Sequence, residues 1–233
     1  MKIEIKNLSL ELKSGARIKL LGDSITHGVG GDGFSQNGEH IVAEFSRSPE
    51  AYCWAKLFAE YMQNEYSINV VNNACTGTNI EFVIKNFDTL VDKEDDLVIC
   101  TIGTNNRHIY KKDGEKKPRE VMLSNFSANI AKLREKFLSE GKKFILIANI
   151  PASVANEKDG TDYWRILHMC DINDSYKKAE AEYQFPLISL YDMMNDYCEK
   201  NDVSLDSLLC DGLHPNNRGY EVMFELIKTA LGI

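Results

Sequence analysis

The chain has 233 residues, of which 43% are hydrophobic and 27% are charged, a composition typical of a folded globular protein. Its 27 basic and 35 acidic residues give a net charge of −8, which disfavours a nucleic-acid partner because phosphate-backbone binding needs clustered lysine and arginine. A chain of this length buries a sizeable core without disulfides or metal, so we expect one domain spanning residues 1–233.

Short apolar runs alternate along the chain with longer segments of helical periodicity. Residues 2–12 alternate apolar and polar side chains, which predicts an extra edge strand or hairpin ahead of the main sheet. In chain order, the pattern then predicts a strand at 18–21, a helix at 51–66, strands at 68–71 and 97–102, a helix at 118–139, a strand at 144–148, a helix at 163–183, a strand at 186–190 and a helix at 215–231. This alternation is typical of an α/β fold in which helices cover both faces of a five-stranded parallel sheet.

Two connecting segments stand out between these elements. Residues 26–46 are rich in Gly, Ser, Asn and Asp and are too long for a simple connection, so we expect a functional or mobile loop. Residues 151–162 follow the fourth strand at the edge of the sheet where ligands bind. Their side chains are therefore predicted to contact either a substrate or a partner.

The cysteines and the N-terminus indicate a cytoplasmic protein. The six cysteines include no Cys-x-x-Cys pair and no Cys–His cluster with the spacing of a zinc site. Residues 1–6 alternate charged and apolar side chains, unlike a secretory signal, and no run of roughly 18 apolar residues is present. We therefore expect a cytoplasmic location, reduced thiols, no membrane span, no metal site and no cofactor.

Residues that follow the strands are the first candidates for a site, because ligands bind beyond the carboxyl ends of the strands in an open parallel sheet. Three such segments, and a fourth before the last helix, concentrate residues with functional side chains or flexible backbone. They are Gly22-Asp23-Ser24, Asn72-Asn73-Ala74-Cys75-Thr76-Gly77, Gly103-Thr104-Asn105 and Asp211-Gly212-Leu213-His214.

Together the four segments supply the parts of a serine hydrolase. Ser24 can project its hydroxyl from a strand-to-helix turn, and His214 can act as its base. Asp211, three residues before His214, can fix the imidazole tautomer and stabilise the imidazolium. The backbone N–H groups of Ser24 and Gly77 and the side-chain amide of Asn105 can form an oxyanion hole.

Each of these signals has a structural explanation when taken alone. A serine at a strand end is commonly a helix N-cap, and Asp-x-x-His is commonly turn chemistry. His27, three residues after Ser24, is a competing base, but we interpret it as a loop histidine that can line the site because it lacks a clear carboxylate partner. Asp23 is expected to bond local backbone rather than to transfer protons.

The four segments, in this order and at these positions, resemble those of the SGNH hydrolases, also called the GDSL esterase/lipase family. The resemblance covers the chain from about residue 17 to its end. It rests on Leu21-Gly22-Asp23-Ser24-Ile25-Thr26, Val71-Asn72-Asn73-Ala74-Cys75-Thr76-Gly77, Gly103-Thr104-Asn105 and Asp211-Gly212-Leu213-His214-Pro215-Asn216. Asn106 stands where many members have Asp, and Ala74 where some have Gly, which bears on substrate preference more than on catalysis.

The resemblance implies a flavodoxin-like three-layer α/β/α sandwich around a five-stranded parallel sheet. It implies that Ser24 is the nucleophile, with His214 as its base and Asp211 orienting that base. It also implies that Ser24, Gly77 and Asn105 supply the oxyanion donors. The Gly-x-Ser-x-Gly elbow of the α/β-hydrolases is absent around Ser24, which disfavours that architecture.

We expect an enzyme that hydrolyses a carboxylic ester through an acyl-serine intermediate, without metal or organic cofactor. The polar loop near the nucleophile favours a small acyl ester, such as an O-acetylated carbohydrate. Three alternatives stay open: a lipase, lysophospholipase or thioesterase for longer acyl chains; an acyltransferase with the same triad; and a flavodoxin-like binding module with a vestigial triad. The expected partner is a small-molecule ester, and the sequence leaves the oligomeric state open.

Overall fold

The structure, a computed structural model, describes Leu12, residues 14–34 and residues 51–233. The edge strand predicted at residues 2–12 lies outside the described residues, apart from Leu12, which is buried. Residues 35–46 of the long loop also lie outside them. A parallel sheet runs through the described part of the chain.

The strands of this sheet follow a doubly wound order. They are β1 (Arg17–Gly22), β2 (Asn69–Asn72), β3 (Leu97–Thr101), β5 (Lys143–Ala148) and β7 (Leu187–Ser189). Their spatial order is β2-β1-β3-β5-β7, and all neighbours are parallel. This is the flavodoxin-like order, in which ligands bind at the edge where the strand order reverses, between β1 and β3. A separate antiparallel pair joins β4 (His108–Tyr110) to β6 (Tyr163–Arg165).

Helices cover both faces of the sheet. In chain order they are α1 (Ser24–His27), α2 (Trp54–Tyr66), α3 (Ile80–Lys85), α4 (Phe87–Leu90), α5 (Arg119–Ser139), α6 (Met169–Tyr183), α7 (Leu190–Asn201) and α8 (Asn217–Leu231). One apolar core joins the sheet to α2, α7 and α8, and the other joins it to α3–α6. Strand residues alternate between them, with Ile18 and Leu20 in the first core and Leu21 in the second, so the sheet is buried on both sides.

The predicted fold class is confirmed, because the structure is a three-layer sandwich around a five-stranded parallel sheet. All five predicted strands form, with ends shifted by only one or two residues. The predictions missed α3 and α4, whose 6 and 4 residues are too few to show a helical period. They also missed α7, which begins at the residue after β7 and so merges with it in the hydrophobic pattern.

The helix predicted at 163–183 is wrong at its start. Residues Tyr163–Arg165 form β6, and α6 begins only at Met169. The carboxylate of Asp171 accepts the backbone N–H of His168 at 2.9 Å, which fixes the true helix start. The aromatic residues of β6 favour a strand, but its partner β4 is distant in the sequence.

The carboxyl ends of the parallel strands bring the segments after them to one edge of the sheet. Backbone hydrogen bonds join these segments beyond the regular strands. The N–H of Asn73 donates to the carbonyl of Leu20 at 2.9 Å, and the N–H of Cys75 donates to that of Gly22 at 3.0 Å. The residues that follow β1 and β2 are therefore neighbours.

Candidate active site

Ser24 begins helix α1 directly after β1, and only 5% of its surface is exposed. The N-cap of this helix is Asp23, whose carboxylate accepts the backbone N–H of Ile25 at 3.0 Å. Because Asp23 caps the helix, the hydroxyl of Ser24 is left for another partner. Gly22 is required before this turn, since a Cβ there would lie 2.9 Å from the carbonyl oxygen of Thr101.

The structure brings the side chain of Ser24 together with those of His214 and Asp211. Nε2 of His214 lies 2.8 Å from Oγ of Ser24, and its Nδ1 lies 2.7 Å from Oδ2 of Asp211. The three groups therefore form a Ser–His–Asp line with hydrogen-bond geometry at both contacts.

The turn that carries His214 is held by the same carboxylate. Oδ1 of Asp211 accepts the backbone N–H groups of Leu213 at 3.0 Å and His214 at 2.8 Å. Burial by itself raises the pKa of Asp211, but the hydrogen bonds from the His214 ring and the backbone outweigh it and lower that pKa to about 2. The ionised carboxylate favours the tautomer with a proton on Nδ1, which leaves Nε2 to accept the Ser24 hydroxyl.

Gly77 lies in an exposed turn that is tied to the strand end before Ser24. Its φ of +80° is in the left-handed region that favours glycine. On one side of the turn, the N–H of Cys75 donates to the carbonyl of Gly22 at 3.0 Å. On the other side, the hydroxyl of Thr78 donates to the same carbonyl at 3.0 Å. The backbone of Gly77 is therefore anchored next to the Ser24 segment.

Asn105 follows β3 in a short 3₁₀ turn, Thr104–Arg107, and bonds to the same group of loops. Its side-chain amide donates one N–H to the carbonyl of Thr78 at 2.7 Å. A primary amide has two N–H groups, so the second remains available to a ligand. Hydrogen bonds thus link the strand ends that carry Ser24, Gly77 and Asn105.

A buried polar network lies next to Ser24. Asp23 is fully buried, and burial raises the pKa of its carboxyl group although Thr104 and Asn149 donate hydrogen bonds to it. Nδ2 of Asn149 lies 3.3 Å from Oδ2 of Asp23 and 2.9 Å from Oγ1 of Thr104. Asp23 does bond local backbone, as expected. The predictions omitted Asn149, although it directly follows β5 and so has the position that marks the other site residues.

His27 is a helical residue, so its assignment to a loop was wrong. It is the last residue of α1, and its Nδ1 lies 2.9 Å from Oγ1 of Thr76, in the turn that carries Gly77. Burial lowers the pKa of His27, which disfavours the protonated form of the ring. His27 therefore supports the Gly77 turn, whereas His214 contacts the hydroxyl of Ser24.

The segment after β5 contacts the turn that carries the candidate base. The backbone N–H of Ser153 donates to the carbonyl of Gly212 at 2.8 Å. Buried Arg107 anchors the same segment, with hydrogen bonds of 3.1 Å to Asn156 and 2.9 Å to Glu157. The segment thus lies beside the Ser–His–Asp line, and its contact with a substrate stays a prediction.

Metal-binding clusters and membrane-spanning helices are absent from the described part of the chain. Within it, no group of three or more His, Cys, Asp and Glu side chains is arranged to hold a metal ion. The same residues contain no helix that is long and apolar enough to cross a membrane. The six cysteines are free thiols.

Comparison with known proteins identifies related sequences and structures. A family model described as GDSL-like lipase/acylhydrolase matches residues 20–222. Among curated proteins, none matches the chain.

Several solved structures share the fold. A lipase/acylhydrolase from Enterococcus faecalis is 22% identical, with a TM-score of 0.64, over 93% of this chain and 96% of that one. An acetylxylan esterase from Geobacillus stearothermophilus is 19% identical, with a TM-score of 0.67, over 95% and 97%. An α/β hydrolase enzyme from the metagenome of Lake Arreo, Spain, is 17% identical, with a TM-score of 0.69, over 95% and 97%. At these identities the likeness shows a common fold.

Proposed function

The chain belongs to the GDSL-like lipase/acylhydrolase family and is a carboxylic ester hydrolase, and we propose that it cleaves a small acyl ester through an acyl-serine intermediate. The observation that carries this proposal is the line of hydrogen bonds from Asp211 through His214 to Ser24, at 2.7 and 2.8 Å. An intact line of this kind argues against a binding module with a vestigial triad.

In the acylation half of the proposed mechanism, Oγ of Ser24 attacks the ester carbonyl carbon while Nε2 of His214 takes the hydroxyl proton. The backbone N–H groups of Ser24 and Gly77 and the free amide N–H of Asn105 stabilise the oxyanion that forms. His214 then returns its proton to the leaving alkoxide as the carbon–oxygen bond breaks. Asp211 stays ionised and stabilises the imidazolium throughout.

In the deacylation half, water takes the place of the alcohol. His214 removes a proton from the water, whose oxygen attacks the carbonyl carbon of the acyl-serine. The same N–H groups hold the second oxyanion. Its collapse releases the carboxylic acid, and the proton on His214 returns to Oγ of Ser24. Each step uses only groups of this chain and water.

We propose an O-acetylated carbohydrate as the substrate class. A cavity of about 200 Å³ is lined in part by Asn105, and most of its lining residues are polar. Such a lining suits the hydroxyl groups of a sugar, whereas a long acyl chain needs an apolar groove. The acetylxylan esterase with the same fold makes acetylated xylo-oligosaccharides a reasonable first substrate to assay.

Hydrolysis of p-nitrophenyl acetate tests the role of Ser24. We expect Ser24→Ala to lower kcat by about 10⁴- to 10⁶-fold, because the nucleophile is lost, while the melting temperature stays close to that of the wild type. A fluorophosphonate probe should label the wild type at Ser24 and leave the variant unlabelled. Wild-type turnover by the variant, or labelling of another residue, would show that Ser24 is not the nucleophile.

A series of p-nitrophenyl esters from acetyl to lauroyl, assayed beside acetylated xylo-oligosaccharides, tests the substrate class. We expect kcat/KM to be highest for acetyl and to fall as the chain lengthens. A preference for long chains would contradict the carbohydrate proposal and favour a lipase. Accumulation of an acylated acceptor in place of free acid would instead show an acyltransferase.

A further inference from the structure

Positive side chains are concentrated on one part of the surface, although the chain has a net charge of −8. An open depression of about 440 Å³ contains four cationic residues, and we refer to it as the basic depression. It is lined by Lys116, Lys117, Pro118, Arg119, Arg165 and Ile166.

Carboxylates neutralise only part of this charge. Two of the four cations have acidic partners, in the pairs Lys116–Asp159, with 3.9 Å between the charged groups, and Arg119–Asp171. Among the described residues, the ammonium group of Lys117 and the guanidinium of Arg165 form no ion pair with an Asp or Glu, although the backbone N–H of Arg165 donates to the carboxylate of Asp159 at 2.7 Å. The basic depression therefore presents two cations without a counter-charge.

Neutral groups hold Arg165 in place. Its Nε donates to the carbonyl of Asn156 at 3.2 Å, and its Nη1 lies 3.3 Å from Nδ1 of His108. The guanidinium also stacks over the ring of Tyr163, 4.8 Å from the ring centre. Because these partners are uncharged, they do not offset the positive charge of Arg165 beside the basic depression.

The basic depression adjoins the cavity that Asn105 lines, because Lys117 lines both. Other polar side chains also line this cavity, among them Asn79, Asn106, His108 and Asn125. An ester whose carbonyl lies at the proposed oxyanion hole can therefore extend through a polar cavity to a free ammonium group.

The cavity lined by Asn105 contains a carboxylate, Glu81, besides the ammonium group of Lys117. Glu81 has both oxygens occupied, by Nδ2 of Asn106 at 2.7 Å and Nδ2 of Asn129 at 2.8 Å. His108 is uncharged at neutral pH, since burial and the nearby charge of Arg165 lower its pKa to about 4. Burial is the larger cause of this shift, and the positive charges of Arg165 and Arg107 add to it.

We propose that the natural substrate carries an anionic group, a carboxylate or a phosphate, that binds Lys117 and Arg165 while its ester carbonyl lies at Ser24. The inference rests on the proposed function and narrows its substrate class from acetylated carbohydrates to acidic ones. An O-acetylated uronic acid and an O-acetylated sugar phosphate both fit. A neutral sugar would cover the two cations without pairing them, which is unfavourable.

Three matched substrates test this inference: an acetylated galactoside, the corresponding galacturonide and the corresponding galactoside phosphate. We expect the wild type to hydrolyse one of the anionic members with a kcat/KM at least about tenfold above the neutral one, the gain of one charge-assisted hydrogen bond. The preferred anionic member distinguishes a carboxylate site from a phosphate site. Added salt should reduce the preference, because it screens the exposed ammonium group.

Lys117→Gln is the matched variant, and because Lys117 is exposed the fold should persist. We expect it to lower the ratio of anionic to neutral kcat/KM about tenfold, mainly through KM, with most of the ratio restored in Lys117→Arg. Lys178→Gln is the control, since it removes the same charge from an exposed residue of α6 that is not among the lining residues of either cavity.

Equal kcat/KM for the neutral and anionic substrates in the wild type would overturn the inference. So would an unchanged ratio in Lys117→Gln. Hydrolysis of p-nitrophenyl acetate separates this failure from failure of the proposed function. An enzyme that cleaves it through Ser24 but ignores substrate charge is still the proposed esterase, whereas one without Ser24-dependent turnover is not.

Discussion

The two segments that meet at the hydrogen bond between Ser24 and His214 are built in opposite ways. The segment at the end of β1 is buried: Asp23 has no exposed surface, and Ser24 is 5% exposed. The segment before α8 is a surface turn, in which the side chain of Asp211 is 51% exposed. Each segment places an aspartate next to the candidate catalytic pair, but water reaches only one of them.

These surroundings shift the pKa of the two aspartates in opposite directions. Burial raises the pKa of Asp23, whereas hydrogen bonds from His214 and the backbone outweigh burial at Asp211 and lower its pKa to about 2. In the proposed mechanism, the carboxylate that must stay charged therefore lies where water and N–H groups support its charge. The buried carboxylate instead fixes the Ser24 turn through Thr104 and Asn149.

Removing the charge of the surface aspartate, Asp211, should have the largest effect and is the strongest test of the contrast between the two aspartates. We expect Asp211→Asn to lower kcat by about 10⁴-fold, because an amide favours the wrong tautomer of His214. The measurement is steady-state hydrolysis of p-nitrophenyl acetate, in which KM should change far less than kcat.

Asp206→Asn is the control for this experiment. It makes the same charge change at an exposed residue of the preceding 3₁₀ turn, Leu205–Leu208, and should keep the wild-type kcat. If Asp211→Asn kept it as well, Asp211 would have no role in orienting His214.

A smaller loss of kcat is expected for a change in the segment after β3, which lies beside the buried Ser24 segment. Asn105→Ala removes one proposed oxyanion donor, so we expect kcat to fall about 10²- to 10³-fold with little change in KM. Urea unfolding would check that the lost hydrogen bond to Thr78 leaves the fold intact. A loss confined to KM would mean that Asn105 binds the ground state of the substrate and not the oxyanion.

Much of the candidate site could be predicted from the sequence because its parts occupy strand ends or share one turn. Ser24, Gly77 and Asn105 follow β1, β2 and β3, and parallel strands bring their carboxyl ends to one edge. Asp211 and His214 are three residues apart, so their contact is local. The strands themselves could be predicted because burial on both faces makes each one a short apolar run.

What the sequence could not reveal depends on contacts between distant residues. The pairing of β6 with β4 has no local signal, which is why Tyr163–Arg165 was assigned to a helix. Lys19 is polar in the pattern, yet it is fully buried and lies 2.9 Å from Asp92. Asn149, the partner of Asp23 in the buried network, is 126 residues away along the chain.

The same substitution at the buried aspartate, Asp23, tests the other half of the contrast. Asp23→Asn keeps the shape of the side chain but removes its charge, and a flip of the Asn149 amide would offer Oδ1 to the new N–H group. That oxygen is buried and has no partner among the described residues. We expect kcat to fall roughly ten- to a hundredfold, because small displacements of the Ser24 turn misplace the nucleophile.

Although kcat should fall in Asp23→Asn, the stability of this variant relative to the wild type should rise with pH. Burial raises the pKa of Asp23, so ionisation penalises the native state, and the penalty appears as pH rises above the unfolded-state value of 3.8. Asp23→Asn lacks the penalty. The difference in free energy of unfolding between the variant and the wild type should therefore increase in favour of the variant from about pH 4 to about pH 7. Urea titrations at both pH values test this, and a constant difference would contradict it.

His108 provides the weakest test, through stability alone. Burial and the charges of Arg165 and Arg107 lower its pKa from 6.5 to about 4. The unfolded chain therefore binds a proton at this residue before the native state does. Its contribution is fully present above about pH 6.5 and is lost as pH falls to about 4, a change of about 3 kcal/mol.

His108→Gln keeps an acceptor for Arg165 but cannot titrate, so its free energy of unfolding should fall about 3 kcal/mol less than that of the wild type across this range. Urea unfolding at several pH values measures the difference. The same pH dependence in both proteins would show that His108 is not shifted. A shallower pH dependence in the variant would show that the pKa of His108 is shifted mainly by burial, as that of Asp23 is. Asp211 differs from both, because its hydrogen bonds lower its pKa.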